Sequence, residues 1–244
     1  MHYDAVFLDF EGTLAFMAPP HAQIYVDACA ACGVAITRQD LRRVIDEGWR
    51  QFETPYGVRH EAYSATPELA RELRRLVHAE RLRALGMDAA TAALAAAAVA
   101  EEEVRPAYYR WYPDALPTLA ELARRGLRLC VVSNHMWELP EIIAALGCNG
   151  LDLPAVTSAR AGCRKPFPDI YHQALDLLDV EPERTLFVGD HVVNDVEAPR
   201  RLGMDAVLID RRGRRRTSYP TLRRLDQLPA LLDGAAAPSA GGSG

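Results

Sequence analysis

Five short, nearly continuous apolar runs divide this chain: AVFLD (5–9), LRLCVVSN (127–134), PAVTS (154–158), RTLFVGD (184–190) and AVLID (206–210). A strand open to water on one face alternates apolar with polar residues. A run without that alternation belongs to a strand buried on both faces. Around these runs lie helical patterns at 114–125, 138–146, 168–178 and 194–202. Gly126, Gly147 and Gly203 follow three of them, where a helix end favours a residue that tolerates positive φ. Doubly buried strands alternating with helices predict an α/β fold, a Rossmann-like, doubly wound parallel sheet covered on both sides.

The stretch between the first two runs is far longer than a crossover needs. It reads as helix in HAQIYVDACAACG, TRQDLRRVIDEGWRQFE, TPELARELRRLVHAERLRALG and DAATAALAAAAVAEEEV, with Thr37 and Thr66 placed as N-caps. The expected division is a core built from residues 1–16 and 108–233, a small helical domain inserted at 17–107, and a disordered tail at 234–244.

Bulk properties exclude several classes of function. The net charge of −5 opposes nucleic-acid binding, and the basic RRGRRR at 211–216 reads as a solvated loop after a strand. No uncharged apolar stretch is long enough for a membrane span. The first residues, MHYDAVFL, lack the basic start of a secretory leader. Five cysteines, an odd number, argue against a disulfide framework. Cys29 and Cys32 of CAAC have no second Cys or His pair nearby, so both are expected as buried helix residues. The expected setting is cytoplasmic.

Ligands of open parallel sheets bind beyond the C-terminal strand ends. Those ends offer Asp9, Glu11 and Thr13 after the first run, Ser133 and Asn134 after the second, and Asp190 and Asp195 after the fourth. Lys165, the only lysine in the chain, precedes the helix that begins at Pro168. Asp9, Asp190 and Asp195 make a hard oxygen site suited to Mg2+. Ser133 and Asn134 can donate hydrogen bonds to phosphate, and Lys165 can offset the repulsion between phosphate and carboxylates. An ionised aspartate can attack phosphorus. His135 and His191 adjoin these positions and read as neighbours or caps.

In order along the chain, DFEGTL, VVSN, RKPFPDIY and VGDHVVNDVEAPRRLGM resemble the four motifs of the haloacid dehalogenase superfamily, whose members are mostly Mg2+-dependent phosphatases. The helical insertion is similar to that family's small cap. The resemblance implies Asp9 as nucleophile and metal ligand, with the main-chain carbonyl of Glu11, Asp190 and Asp195 completing the metal site. It implies Ser133 and Lys165 as phosphoryl-binding groups and Thr13 as the residue that orients Asp9 by a hydrogen bond. The side chain at position 11 would protonate the leaving oxygen and then activate water. The implied partner is a small phosphorylated metabolite, with no nucleic acid or membrane, and the protein would act as a monomer or homodimer.

Position 11 departs from the family's Asp-x-Asp-x-Thr pattern. A glutamate has almost the pKa of an aspartate, about 4.3 against 3.9, but its carboxylate sits one methylene further out. General acid–base help is worth about 10² to 10⁴ in rate, so its placement matters. Three outcomes are open: a phosphatase with a shifted acid, a phosphoryl-transfer or slow-turnover protein, and a phosphate-binding protein without turnover. Dehalogenases of the superfamily also lack the second Asp, but they do not use the carboxylates that Asp190 and Asp195 retain. Phosphonate hydrolases need a cap lysine, and this insertion has none. In the insertion, Arg42, Arg43 and the stretch EGWRQFETPYGVRHEAYS, with Trp49, Arg50, Phe52, Tyr56, Arg59, His60 and Tyr63, have the composition of a recognition loop.

Overall fold

The computed structural model describes residues 3–44 and 66–234. Strand β1 (Ala5–Leu8) lies inside a six-stranded parallel sheet. Two further strands flank it on each side of the chain's central crossover: β4 (Arg128–Ser133) and β5 (Ala155–Thr157) on one side, β6 (Thr185–Gly189) and β7 (Asp205–Ile209) on the other. The order is β5-β4-β1-β6-β7-β8, with β8 (Thr221–Leu222) at the edge. All five pairings are parallel, with Leu8 level with Val131 and Val188.

The apolar runs are continuous because alternate residues of β1 enter different cores. Val6 and Leu8 join a cluster with Leu119 and Leu122 of helix α4 (Ala115–Arg124) and Ile142 and Ile143 of α5 (Leu139–Leu146). Ala5 and Phe7 join the opposite cluster with Ile170, Tyr171 and Ala174 of α6 (Pro168–Leu178). All four β1 residues are fully buried, and each large apolar side chain contributes about 1.5–3 kcal/mol by leaving water. Gly126, Gly147 and Gly203 have positive φ as the helix-end reading required.

Between the strands β2 (Ala15–Met17) and β3 (Tyr109–Trp111), which pair antiparallel, the described chain is largely helical. Helices α1 (His21–Ala31), α2 (Pro67–Ala84) and α3 (Ala89–Glu102) share a third apolar cluster, with Ile24, Tyr25, Cys29, Leu82 and Val99 at its centre. Thr66 caps α2 by accepting from the Leu69 N–H at 3.3 Å. Thr37 does the same for Asp40 at 3.1 Å. Cys29 and Cys32 are free; Cys29 is buried in α1 as expected, but Cys32 lies one residue past the helix end, as its C-cap, and is only half-buried.

Two local features depart from the sequence reading. The fourth helical pattern is a π-helix at Val192–Glu197, a form that recurs at functional sites, running into a short α-helix at Ala198–Arg201. Strand β8 follows no apolar run, since two residues are too few to show a period. The expected recognition loop and the tail beyond residue 234 lie outside the described residues, although Arg42 and Arg43 are described and exposed.

One buried charge pair ties the sheet's far edge to the first loop. The Asp114 carboxylate accepts from Arg211 Nη1 and Nη2, both at 3.0 Å, and from the Leu225 N–H at 2.7 Å. Arg211 Nη2 also donates to the Thr13 carbonyl at 2.6 Å. Replacing Asp114 leaves a guanidinium and an amide without their shared acceptor. We expect Asp114→Ala to lose about 2–4 kcal/mol of stability, read from the urea midpoint at unchanged slope.

Candidate active site

The strand ends converge on one cavity of about 870 Å³, and residues at the start of the helical insertion, Pro20 and His21, also line it. Asp9 follows β1 directly, and its N–H donates to the Val188 carbonyl at 2.9 Å, so the strand pairing itself sets its position. Ser133, the last residue of β4, donates through Oγ to Asp9 Oδ1 at 2.9 Å. Lys165 Nζ donates to the same oxygen at 2.9 Å and to Asp195 Oδ1 at 2.6 Å. The lysine is only 2% exposed. A buried ammonium is tolerated only when paired. Burial alone would lower its pKa, but Asp195 and Asp9 overcome that and raise it.

Two glycines let the backbone approach the carboxylates. A Cβ at Gly12 would lie 2.6 Å from Asp190 Oδ2, and Gly12 has a φ of +87°. A Cβ at Gly189 would meet the Asp195 carboxylate at 2.4 Å, so there the close approach itself, and not the backbone angle, calls for glycine. The π-helix does similar work: it turns Asp195 back so that its Oδ2 accepts the His191 N–H at 2.9 Å. His191 caps the same turn by accepting from the Asn194 N–H at 3.3 Å.

Oxygens of Asp9, Asp190 and Asp195 lie within 4.8 Å of one another. Burial, then Asp9 and Asp195, push the Asp190 carboxyl up to about 7, against the weaker pull of Arg215 and Lys165. Asp195 is also raised, chiefly by burial, with Lys165 opposing. One lysine therefore does not neutralise three carboxylates. The crowded oxygen donors fit a hard divalent cation, which would relieve that repulsion.

The remaining expected site residues fall into place differently. Glu11 is solvent-accessible in the cleft but walled by protein. That confinement raises its carboxyl pKa, with His21 opposing and Asp9 and Glu103 adding to the rise. Asn134 lines the cavity, but its side chain is engaged with Lys165. Its Nδ2 donates to the Lys165 carbonyl at 2.9 Å, and its Oδ1 accepts the Lys165 N–H at 2.7 Å. The expected phosphate donor is thus a clamp on the lysine's backbone. Thr13 is fully buried, and its Oγ1 has no hydrogen-bond partner among the described residues, so the expected bond to Asp9 is not formed. Its carbonyl instead holds Arg211. His135 packs edge-on against Phe10, and burial lowers its pKa to about 4, so it is an uncharged wall of the cavity.

Sequence reasoning missed a buried polar cluster beside Glu11. His21 Nε2 lies 2.9 Å from Glu103 Oε2, and His78 Nε2 lies 2.9 Å from Glu103 Oε1. Arg74 approaches Glu103 at 3.2 Å and reaches Glu138 on the core side at 2.8 Å. Burial would raise the Glu103 pKa, but its partners hold it well below the usual carboxylate range. Burial lowers the His78 pKa against the opposing pull of Glu103, and Arg74 adds a permanent positive charge beside the same carboxylate. Nothing local marks Glu103, which stands in an EEE run that reads as a solvated helix end.

Residues 3–203 match the model for haloacid dehalogenase-like hydrolases. The chain belongs to that family. Among its relatives, the glyceraldehyde 3-phosphate phosphatase of Methanopyrus kandleri is 35% identical over 61% of this chain and 63% of that protein. The phosphoserine phosphatase of Thermus thermophilus is 33% identical over 67% of this chain and 62% of that protein. The matches thus span less than two thirds of either relative. The fold is shared with the putative HAD-hydrolase YfnB of Bacillus subtilis, solved with magnesium, at a TM-score of 0.72 and 16% identity over 96% of this chain and all of that one. It is also shared with a HAD phosphatase of Thermococcus onnurineus at a TM-score of 0.64 and 23% identity, over 97% of this chain and 100% of that one.

The raised Asp190 carboxyl has a definite thermodynamic sign. The folded state holds a proton that the unfolded chain releases, so the cluster's contribution to stability falls as pH rises from about 4 to about 7. Without added cation, Asp190→Asn should therefore melt higher than the parent at pH 8. Added Mg2+ should raise the parent's Tm more at pH 8 than at pH 5, and this response should be lost in the variant. Thermal scans at the two pH values check both statements.

Proposed function

We propose that this protein is a phosphoric monoester hydrolase that acts on a small phosphorylated metabolite through an aspartyl-phosphate on Asp9. One observation carries the reading. Ser133 and Lys165 both hold Asp9 Oδ1, while Oδ2 has no hydrogen bond to any described residue. The carboxylate is fixed by one oxygen and has the other available to attack phosphorus.

In the first step Asp9 Oδ2 would form a bond to phosphorus as the bond to the leaving oxygen breaks. The electron pair goes to that oxygen, which takes a proton from Glu11. The raised pKa of Glu11 favours the protonated form that a general acid needs. In the second step the Glu11 carboxylate takes a proton from water, whose oxygen attacks the same phosphorus. The bond to Asp9 breaks, and inorganic phosphate leaves. Lys165 and Ser133 hold the phosphoryl oxygens, and Asn134 holds the lysine in place. Asp9, Asp190, Asp195 and the main-chain carbonyl of Glu11 would hold Mg2+, which supplies positive charge to a pocket otherwise hostile to phosphate. Residues 17–107 would serve as the cap that selects the substrate. The phosphatase names of the two relatives support the reaction class.

The decisive assay is phosphate release from a panel of phosphomonoesters with Mg2+. Asp9→Asn should release none while folding like the parent by circular dichroism. Glu11→Gln should lower kcat by about 10² or more, since it keeps the shape and loses the proton. Release by Asp9→Asn at the parental rate would refute the nucleophile. Binding of phosphate without release by the parent, across the whole panel, would favour a binding protein instead.

A further inference from the structure

The loop after β7 is built more rigidly than a solvated charge run requires. The Asp210 carboxylate accepts the Gly213 N–H and the Arg215 N–H, both at 2.9 Å. The Gly213 N–H also bonds the Asp210 carbonyl at 3.0 Å, and Gly213 has a φ of +65°. A Cβ there would also run into the Arg223 guanidinium. Arg211 is anchored by Asp114 and the Thr13 carbonyl, and its guanidinium carbon lies 3.7 Å from the centroid of the Tyr112 ring. The backbone on both sides of residue 212 is therefore fixed.

Arg212 uses none of these anchors. It is exposed, and it lines the same cavity as Asp9 and Glu11. It has no hydrogen bond or ion pair with any described residue. Lys165, in contrast, already donates to both Asp9 and Asp195 at the cavity floor. A fixed turn thus offers the same cavity a second cation, an unpartnered guanidinium besides the paired ammonium of Lys165. An arginine held this way suits planar, bidentate recognition of carboxylate or phosphate oxygens.

We propose that Arg212 binds a second anionic group, a carboxylate or a second phosphate, on the leaving part of the substrate. The substrate class narrows to phosphomonoesters that carry another negative charge. This rests on the phosphatase reading given above.

The test uses alkyl phosphates of increasing chain length whose far end is a methyl, a carboxylate or a second phosphate. At the chain length that spans the cavity, the parent should favour a charged end over methyl by about tenfold or more in kcat/KM, the scale of a charged hydrogen bond. Comparing the carboxylate and phosphate series tells which anion fits. Arg212→Gln should collapse the preference, mainly through KM, and Arg212→Lys should restore part of it. Arg216→Gln, on the same loop but outside the cavity lining, should keep the parental ratio and so controls for general charge. A preference that survives Arg212→Gln, or a parent that shows none, overturns the role of Arg212 while leaving the phosphatase reading intact. A parent that turns over no ester overturns both.

Discussion

A single buried ammonium organises the catalytic end of the sheet. Lys165 bridges Asp9, the residue after β1, and Asp195 of the turn after β6, and both contacts are short and buried. Without the lysine, buried carboxylates would face one another; without them, the lysine would be an unpaired buried charge. Each therefore needs the other at folding, before any substrate arrives. The clamp from Asn134 fixes the lysine's backbone, and the π-helix turns Asp195 toward its amine. The remaining excess of negative charge is what makes the pocket receptive to a cation.

Glu11 sits at the meeting point of this centre and the helical insertion. Its own motif supplies Asp9 as a neighbour, while the insertion supplies His21, held by the buried Glu103. Arg74 then links Glu103 to Glu138 on the core. The environment of the proposed acid therefore depends on how the insertion packs on the core. A longer side chain at position 11 is set among groups that differ from those around a bare strand end, and its raised pKa follows from that confinement.

Much of this was legible in the chain because it repeats. The doubly buried strands announce themselves through unbroken apolar runs, and each strand end carries its polar residue at a readable offset. Lys165 stood out because a chain otherwise using arginine kept one lysine. What could not be read has a common cause: it depends on partners distant in sequence or on geometry without a period. Asn134 looked like a phosphate donor because nothing local shows that its amide meets the backbone of Lys165. The Thr13 hydroxyl was expected on Asp9, yet the structure uses its carbonyl for Arg211. Glu103 meets His21 across 82 positions. Two-residue β8 and the π-helix are too short or too irregular to leave a pattern. Arg212 stands inside a basic run whose reading as a solvated loop holds for the exposed Arg214 and Arg216 but not for the anchored Arg211.

The covalent step is the most direct point of contact with experiment. The protein is mixed with Mg2+ and a hydrolysable phosphomonoester, quenched in acid within the first turnover, digested and analysed by mass spectrometry. If Asp9 attacks phosphorus, the peptide AVFLDFEGTL gains one phosphoryl group at Asp9, and hydroxylamine removes it. The modification should be absent in Asp9→Asn and should persist longer in Glu11→Gln, where water is not activated. Phosphate release with no phosphoryl group on Asp9 at any quench time, or with the group on another residue, would contradict the assignment.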